Sequence, residues 1–80
     1  MEQVARLIAE AVKSRDPKAV LTSVVWDFYG HTFEYFTRHD GREYPHSIPT
    51  LIIDDVLLEK EGAEQRLKDA VNSELRNLGE

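Results

Sequence analysis

The stretch WDFYGHTFEYFTRHDGREYPH, residues 26–46, holds all three histidines, all three tyrosines and the one tryptophan of the chain. It reads either as a cluster of metal-binding or catalytic side chains or as the sheet of a small domain. Its spacing favours the sheet. TFEYFTR alternates apolar and polar residues, the period of a strand with one buried face. HDGR then supplies Asp40-Gly41, a hairpin signal because Gly tolerates the positive φ of a tight turn. REYPHSI returns as a further strand, with Pro45 and Pro49 suited to a sheet edge. Upstream, VLTSVVWDF (20–28) is rich in β-branched and aromatic residues and reads as the first of the three strands.

Two-residue turns at Gly30-His31 and Asp40-Gly41 set a register. Phe28 then faces Phe33, Trp26 faces Tyr35 and Val24 faces Thr37. On the other side Phe33 faces Ile48, Tyr35 faces His46 and Thr37 faces Tyr44. Side chains alternate with period two, so all of these share one face. Val24, Trp26, Phe28, Phe33, Tyr35 and Ile48 form its apolar surface, with Trp26 as the expected central anchor. A three-residue second loop would shift the third strand by one.

This register scatters the histidines. His31 and His39 fall at opposite ends of the middle strand, roughly 20 Å or more apart. His46 falls mid-sheet on the inner face. A narrower constellation remains on the outer face, where Asp27 is expected opposite Glu34, a like-charge pair. With His31 nearby, these carboxylates could hold a divalent cation or share a proton. No HExxH-type spacing accompanies them, and such a site would be flat rather than concave. Arg38 and Glu43, facing each other, read as a cross-strand ion pair. No serine sits in a nucleophile-elbow context, the glycines are too scattered to cradle a phosphate, and no cofactor motif occurs.

Helices flank the sheet. Val4, Leu7, Ile8, Ala11 and Val12 form one stripe at helical spacing, closed by Arg15-Asp16-Pro17. Ala63, Leu67, Ala70, Val71, Leu75 and Leu78 form another, with Gly79 at a C-cap position. Between them TLIIDDVLLEKEG is too apolar all round to assign by period, and is expected as a short helix or irregular connection. A single helix from Thr50 to Leu78 would run about 43 Å, too long for so small a domain, so a break is expected near Gly62. The fold expected is α+β over residues 1–80 as a single domain: N-terminal helix, three-stranded antiparallel meander, C-terminal helix (α-β-β-β-α), with the helices on one face. This order resembles that of double-stranded RNA-binding domains. The likeness stops at the order, because EKEGAEQ before the final helix is mainly acidic and carries no basic cluster.

Ten Lys+Arg against fifteen Asp+Glu leave a net charge of −5, which argues against nucleic-acid binding by phosphate neutralisation. No apolar run approaches the roughly 18–20 residues that span a bilayer. The N-terminal segment is charged throughout, unlike a signal peptide. The lack of cysteine excludes disulfides and fits a cytoplasmic setting. These features point to a small acidic protein-interaction module: an adaptor, inhibitor or regulatory subunit without catalysis of its own. The alternative is a metal-binding protein or metal-dependent enzyme using Asp27, Glu34 and His31. The contact is expected along the first strand, whose outer face would carry Leu21, Ser23 and Val25, with Phe36 opposite Val25. That edge has neither proline nor charge before Asp27, and pairing there would join a protein partner or form a homodimer. The competing arrangement has TLIIDDVLL folded over the same edge.

Overall fold

The computed structural model describes residues 2–27 and 32–79. The element order is α1 (Glu2–Arg15), β1 (Val20–Asp27), β2 (Thr32–His39), β3 (Arg42–Pro49), α2 (Thr50–Leu57) and α3 (Ala63–Gly79). The strands form one antiparallel sheet in the order β1-β2-β3, and the helices pack against it. The α+β meander between helices is thus as expected, and the ambiguous segment adds a helix of its own.

Each element follows from local chemistry. In α1 the expected stripe of Val4, Leu7, Ile8, Ala11 and Val12 is the buried face. Beyond Arg15 the Asp16 carboxylate accepts the Lys18 N–H at 3.1 Å, while the Asp16 carbonyl accepts the Ala19 N–H at 2.9 Å. This turn reverses the chain into β1. The β2–β3 hairpin turns on Asp40 (φ 53°) and Gly41 (φ 78°), two consecutive left-handed residues of the kind that match strand twist. A Cβ on Gly41 would meet nothing within 4 Å, so conformation rather than space selects glycine there.

Helix α2 buries Ile53 and Val56. It ends with Lys60 N–H donating to the Asp55 carbonyl (3.0 Å) and Glu59 N–H to the Val56 carbonyl (3.1 Å). This is a Schellman closure, with Glu59 (φ 57°) in the left-handed position usually given to glycine. The expected break near Gly62 therefore begins at Leu58, and Asp55 fastens the corner through Lys60 and Arg66, each at 3.3 Å.

The β2–β3 register is the expected one: Phe33 opposite Ile48, Tyr35 opposite His46, Thr37 opposite Tyr44 and Arg38 opposite Glu43. The β1–β2 register differs. Trp26 faces Phe33 and Val24 faces Tyr35, a slip of two residues from the expected pairs. The turn expected at Gly30-His31, and the core place expected for Phe28, lie outside the described residues. An even slip keeps the same side chains inward, so the buried face survives while its centre moves. Phe33, Tyr35, Thr37 and Ile48 are the fully buried sheet residues, under Ile8, Ile53, Leu67 and Val71 from the helices. Trp26 is only partly buried at the rim of this cluster, edge-on to Phe33 with ring centroids 6.2 Å apart. It is not the central anchor.

Candidate functional site

The outer strands differ in what their free edges offer. In β3 the Ser47 N–H donates to the Glu74 carboxylate of α3 at 3.2 Å, so it points away from β2. Backbone groups of alternate residues share a direction in an antiparallel strand, which puts Pro45 and Pro49 on the same outward side. Prolines have no N–H to offer. Three successive outward positions of β3 are therefore closed, two by proline and one by a side chain from the helix layer.

Among the described residues, strand β1 has no such closure. Its pairing with β2 turns the backbone groups of Ser23, Val25 and Asp27 toward β2, and those of Leu21 and Val24 away from it. No proline interrupts it. The TLIIDDVLL segment does not cover it either, because α2 packs on α3, α1, β2 and β3 and, among the described residues, not on β1.

A bulge shapes this edge. Leu21 faces Thr37 and Ser23 faces Phe36, so Thr22 is an extra residue against one step of β2. The Thr22 hydroxyl lies within range of the Phe36 carbonyl (3.1 Å) and the Glu43 carboxylate (3.2 Å), sharing its one proton. The bulge reverses the alternation, and Leu21 packs against the core rather than facing outward with Val25. Leu21 thus leaves the expected patch. Phe36 lies opposite Ser23, not Val25, which faces Glu34. Val20 (61 % exposed) and Val25 (48 % exposed) are the large apolar side chains β1 shows to solvent.

The bulge had a trace in the sequence. The inward residues Leu21, Val24 and Trp26 are spaced by three and then two, and the slip falls on the polar pair Thr22-Ser23.

The carboxylate pair separates in the same register. Asp27 faces Thr32 and Glu34 faces Val25, so the two acids are diagonal neighbours on the outer face rather than directly opposed. His31 lies outside the described residues. Among the described residues no group of three His, Asp or Glu side chains is placed to hold a metal ion.

The inner face holds a polar cluster that sequence reasoning met only as a mid-sheet histidine. Thr37 Oγ1 and His46 Nε2 are 2.8 Å apart and both side chains are buried. The His46 ring stacks on Tyr35 at 4.6 Å. Burial pushes the imidazole below its ordinary pKa of 6.5, opposed by the nearby Glu74 charge. Burial first, then the same carboxylate, push the Tyr35 phenol well above its usual value, and its hydroxyl has no partner among the described residues.

Thr37 also lines a half-open cleft of about 430 Å³ together with Arg15, Asp16, His39 and Tyr44. There His39 Nδ1 approaches the Asp16 carboxylate to 2.6 Å without the alignment of a hydrogen bond. A hydroxyl beside an imidazole is the pairing a nucleophile needs, but Thr37 is 1 % exposed, which leaves its hydroxyl little access to a substrate. Among the described residues no helix is long and apolar enough to cross a membrane. No protein-family model matches the chain, and neither curated protein sequences nor solved structures yield a match.

Proposed function

We propose that the protein is a cytoplasmic interaction module, an adaptor, inhibitor or regulatory subunit, that binds by adding a strand to its β1 edge. The observation that supports this reading is the asymmetry of the sheet. One edge is closed at three consecutive outward positions, while the other leaves Leu21 and Val24 facing away from β2 beside the exposed Val20 and Val25. An open, uncharged edge is a liability that folded chains generally blunt, so one kept open beside one carefully closed is a surface for pairing. Backbone hydrogen bonds would supply affinity, and Val20 and Val25 would supply the side-chain contact. The net charge of −5 favours partners that carry basic side chains around the paired strand.

Affinity capture with the parental chain and with Val24→Pro tests the proposal. Proline at 24 removes an outward N–H and leaves the pairing with β2 in place. Capture of a chain, another protein or a second tagged copy, by the parental bait and its loss with Val24→Pro is the expected result. Identical capture by both baits would place any interaction elsewhere on the molecule.

A further inference from the structure

Resting on that reading of β1, we infer that the strand received at this edge is β1 of a second copy, in one defined antiparallel register: Val20 opposite Val25, Leu21 opposite Val24 and Thr22 opposite Ser23.

The bulge narrows the registers to the few that meet two conditions, and only one of them pairs the whole run from Val20 to Val25 with itself. Strands pair only when outward-facing backbone groups meet, and when side chains of one face stay on that face. On β1 the inward side chains are Leu21, Val24 and Trp26; Val20, Ser23, Val25 and Asp27 are on the outer face, as is Thr22, whose hydroxyl reaches Glu43. For a two-fold pair of unbulged strands, several offsets would satisfy both conditions. Here the extra residue inverts the alternation midway. Placing Ser23 on its own two-fold sets outward Val20 against inward Trp26. Placing Thr22 opposite Val25 sets Ser23 against Val24, another mismatch. With the axis between Thr22 and Ser23, every pair agrees: Val20–Val25, Leu21–Val24 and Thr22–Ser23.

Spacing agrees as well. Leu21 and Val24 face Thr37 and Tyr35 of β2, so the bulged step brings them two β2 residues apart. That is one full repeat of an antiparallel ladder. Leu21 and Val24 of one chain can then each exchange both backbone bonds with Val24 and Leu21 of the other.

Two further features select a second copy over an unrelated strand. The uncharged run is flanked by Lys18 before it and Asp27 at its end. Antiparallel self-pairing about this axis brings each Lys18 toward the Asp27 of the other chain, whereas parallel pairing would set like charges together. Assembly also stops at two. Each chain has one open edge, so joining two three-stranded sheets leaves Pro45, Ser47–Glu74 and Pro49 on both outer margins. The pair is isologous and closed, not a template for fibres. Val20 and Val25 of both chains then cover one another.

The natural chain has no cysteine, which makes the register directly readable. A mixture of Val20→Cys and Val25→Cys chains should cross-link on oxidation. Directly opposed Cβ atoms lie about 4.5–5.5 Å apart, near enough for a disulfide with small adjustment. Each variant alone should not cross-link, since Val20 and its own copy would sit more than about 10 Å apart along the strand. Light scattering should give the mass of two chains for the parental protein at tens of micromolar. It should give one chain for Val24→Pro and, with the backbone untouched, for Val25→Lys, whose lysine would face the apolar Val20.

A parental mass of one chain overturns the inference, and the capture experiment then decides the broader reading alone. A dimer that persists in both variants, or that cross-links equally in the unmixed samples, also overturns it. If capture is lost with Val24→Pro while the parental chain is monomeric, only the identity of the partner was wrong.

Discussion

The two margins of this sheet are built from strands of equal length, yet they are finished in opposite ways. At β3 the chain spends two prolines and the Glu74 carboxylate on three neighbouring outward positions. At β1 it places Leu21 and Val24 outward with valines beside them. Both strands are anchored to the same middle strand, whose Phe33 and Tyr35 are fully buried. The difference is therefore not one of core packing. It lies in the unpaired backbone of each edge, which hydrophobic burial alone does not satisfy.

The largest expected effect comes from the common spine. Phe33→Ala should cost about 3–5 kcal/mol and destabilise the attachment of both margins together. Trp26→Ala, at the partly buried rim, should cost clearly less, about 1–3 kcal/mol. Urea unfolding of the two variants checks the order; equal costs would put Trp26 back at the centre of the core.

Acid should separate the margins next. His46 belongs to β3 and is held neutral by burial, with Thr37 on its ring, Tyr35 stacked against it and Glu74 facing it from α3. Its folded pKa lies below the unfolded value of 6.5, so the unfolded chain takes up the proton first. The contribution is fully present above the unfolded pKa. It is lost as pH falls from there through the depressed folded value. Chemical denaturation at stepped pH should show this decline, and a His46→Asn variant should flatten it. A parental profile no steeper than that of the variant would mean that His46 stays neutral in neither state or charges equally in both.

Opening the closed margin is the reverse experiment to blocking β1. Glu74→Ala leaves the Ser47 N–H without its acceptor, at a cost of about 1 kcal/mol. Combined with Pro45→Thr, it restores two outward donors on β3. The double variant should form species larger than the parental assembly in sedimentation, because each chain then has two usable edges. An unchanged mass would show that the helix layer, not the backbone chemistry, shields β3.

The smallest effect serves as a control away from both edges. Glu59→Gly removes a side chain from a left-handed position and should stabilise by up to about 1 kcal/mol in thermal unfolding. Its mass should equal that of the parental chain.

Much of this structure was legible in residue order. The helical stripe of α1, the Asp40-Gly41 turn and the whole β2–β3 register follow from periodicity and from the φ that glycine accepts, and both are local properties. The prolines that close β3 were legible too, since a missing N–H needs no tertiary context. What local chemistry could not determine was the β1–β2 offset. Pairings that differ by two residues bury the same face, so alternation does not distinguish them, and the choice moved Trp26 from the centre to the rim.

The bulge at Thr22 is a tertiary decision as well. It is defined by how many residues of one strand oppose another, and it turned Leu21 inward while placing Val20 on the outer face with Val25. The third closure of β3 likewise joins Ser47 to Glu74, residues 27 apart in the chain. The sequence by itself determined which elements form and which faces are buried, because those depend on neighbours within a turn or a strand. Only the tertiary structure decided which edge stays open and which residues line it, because edge chemistry depends on what distant segments bring to the backbone.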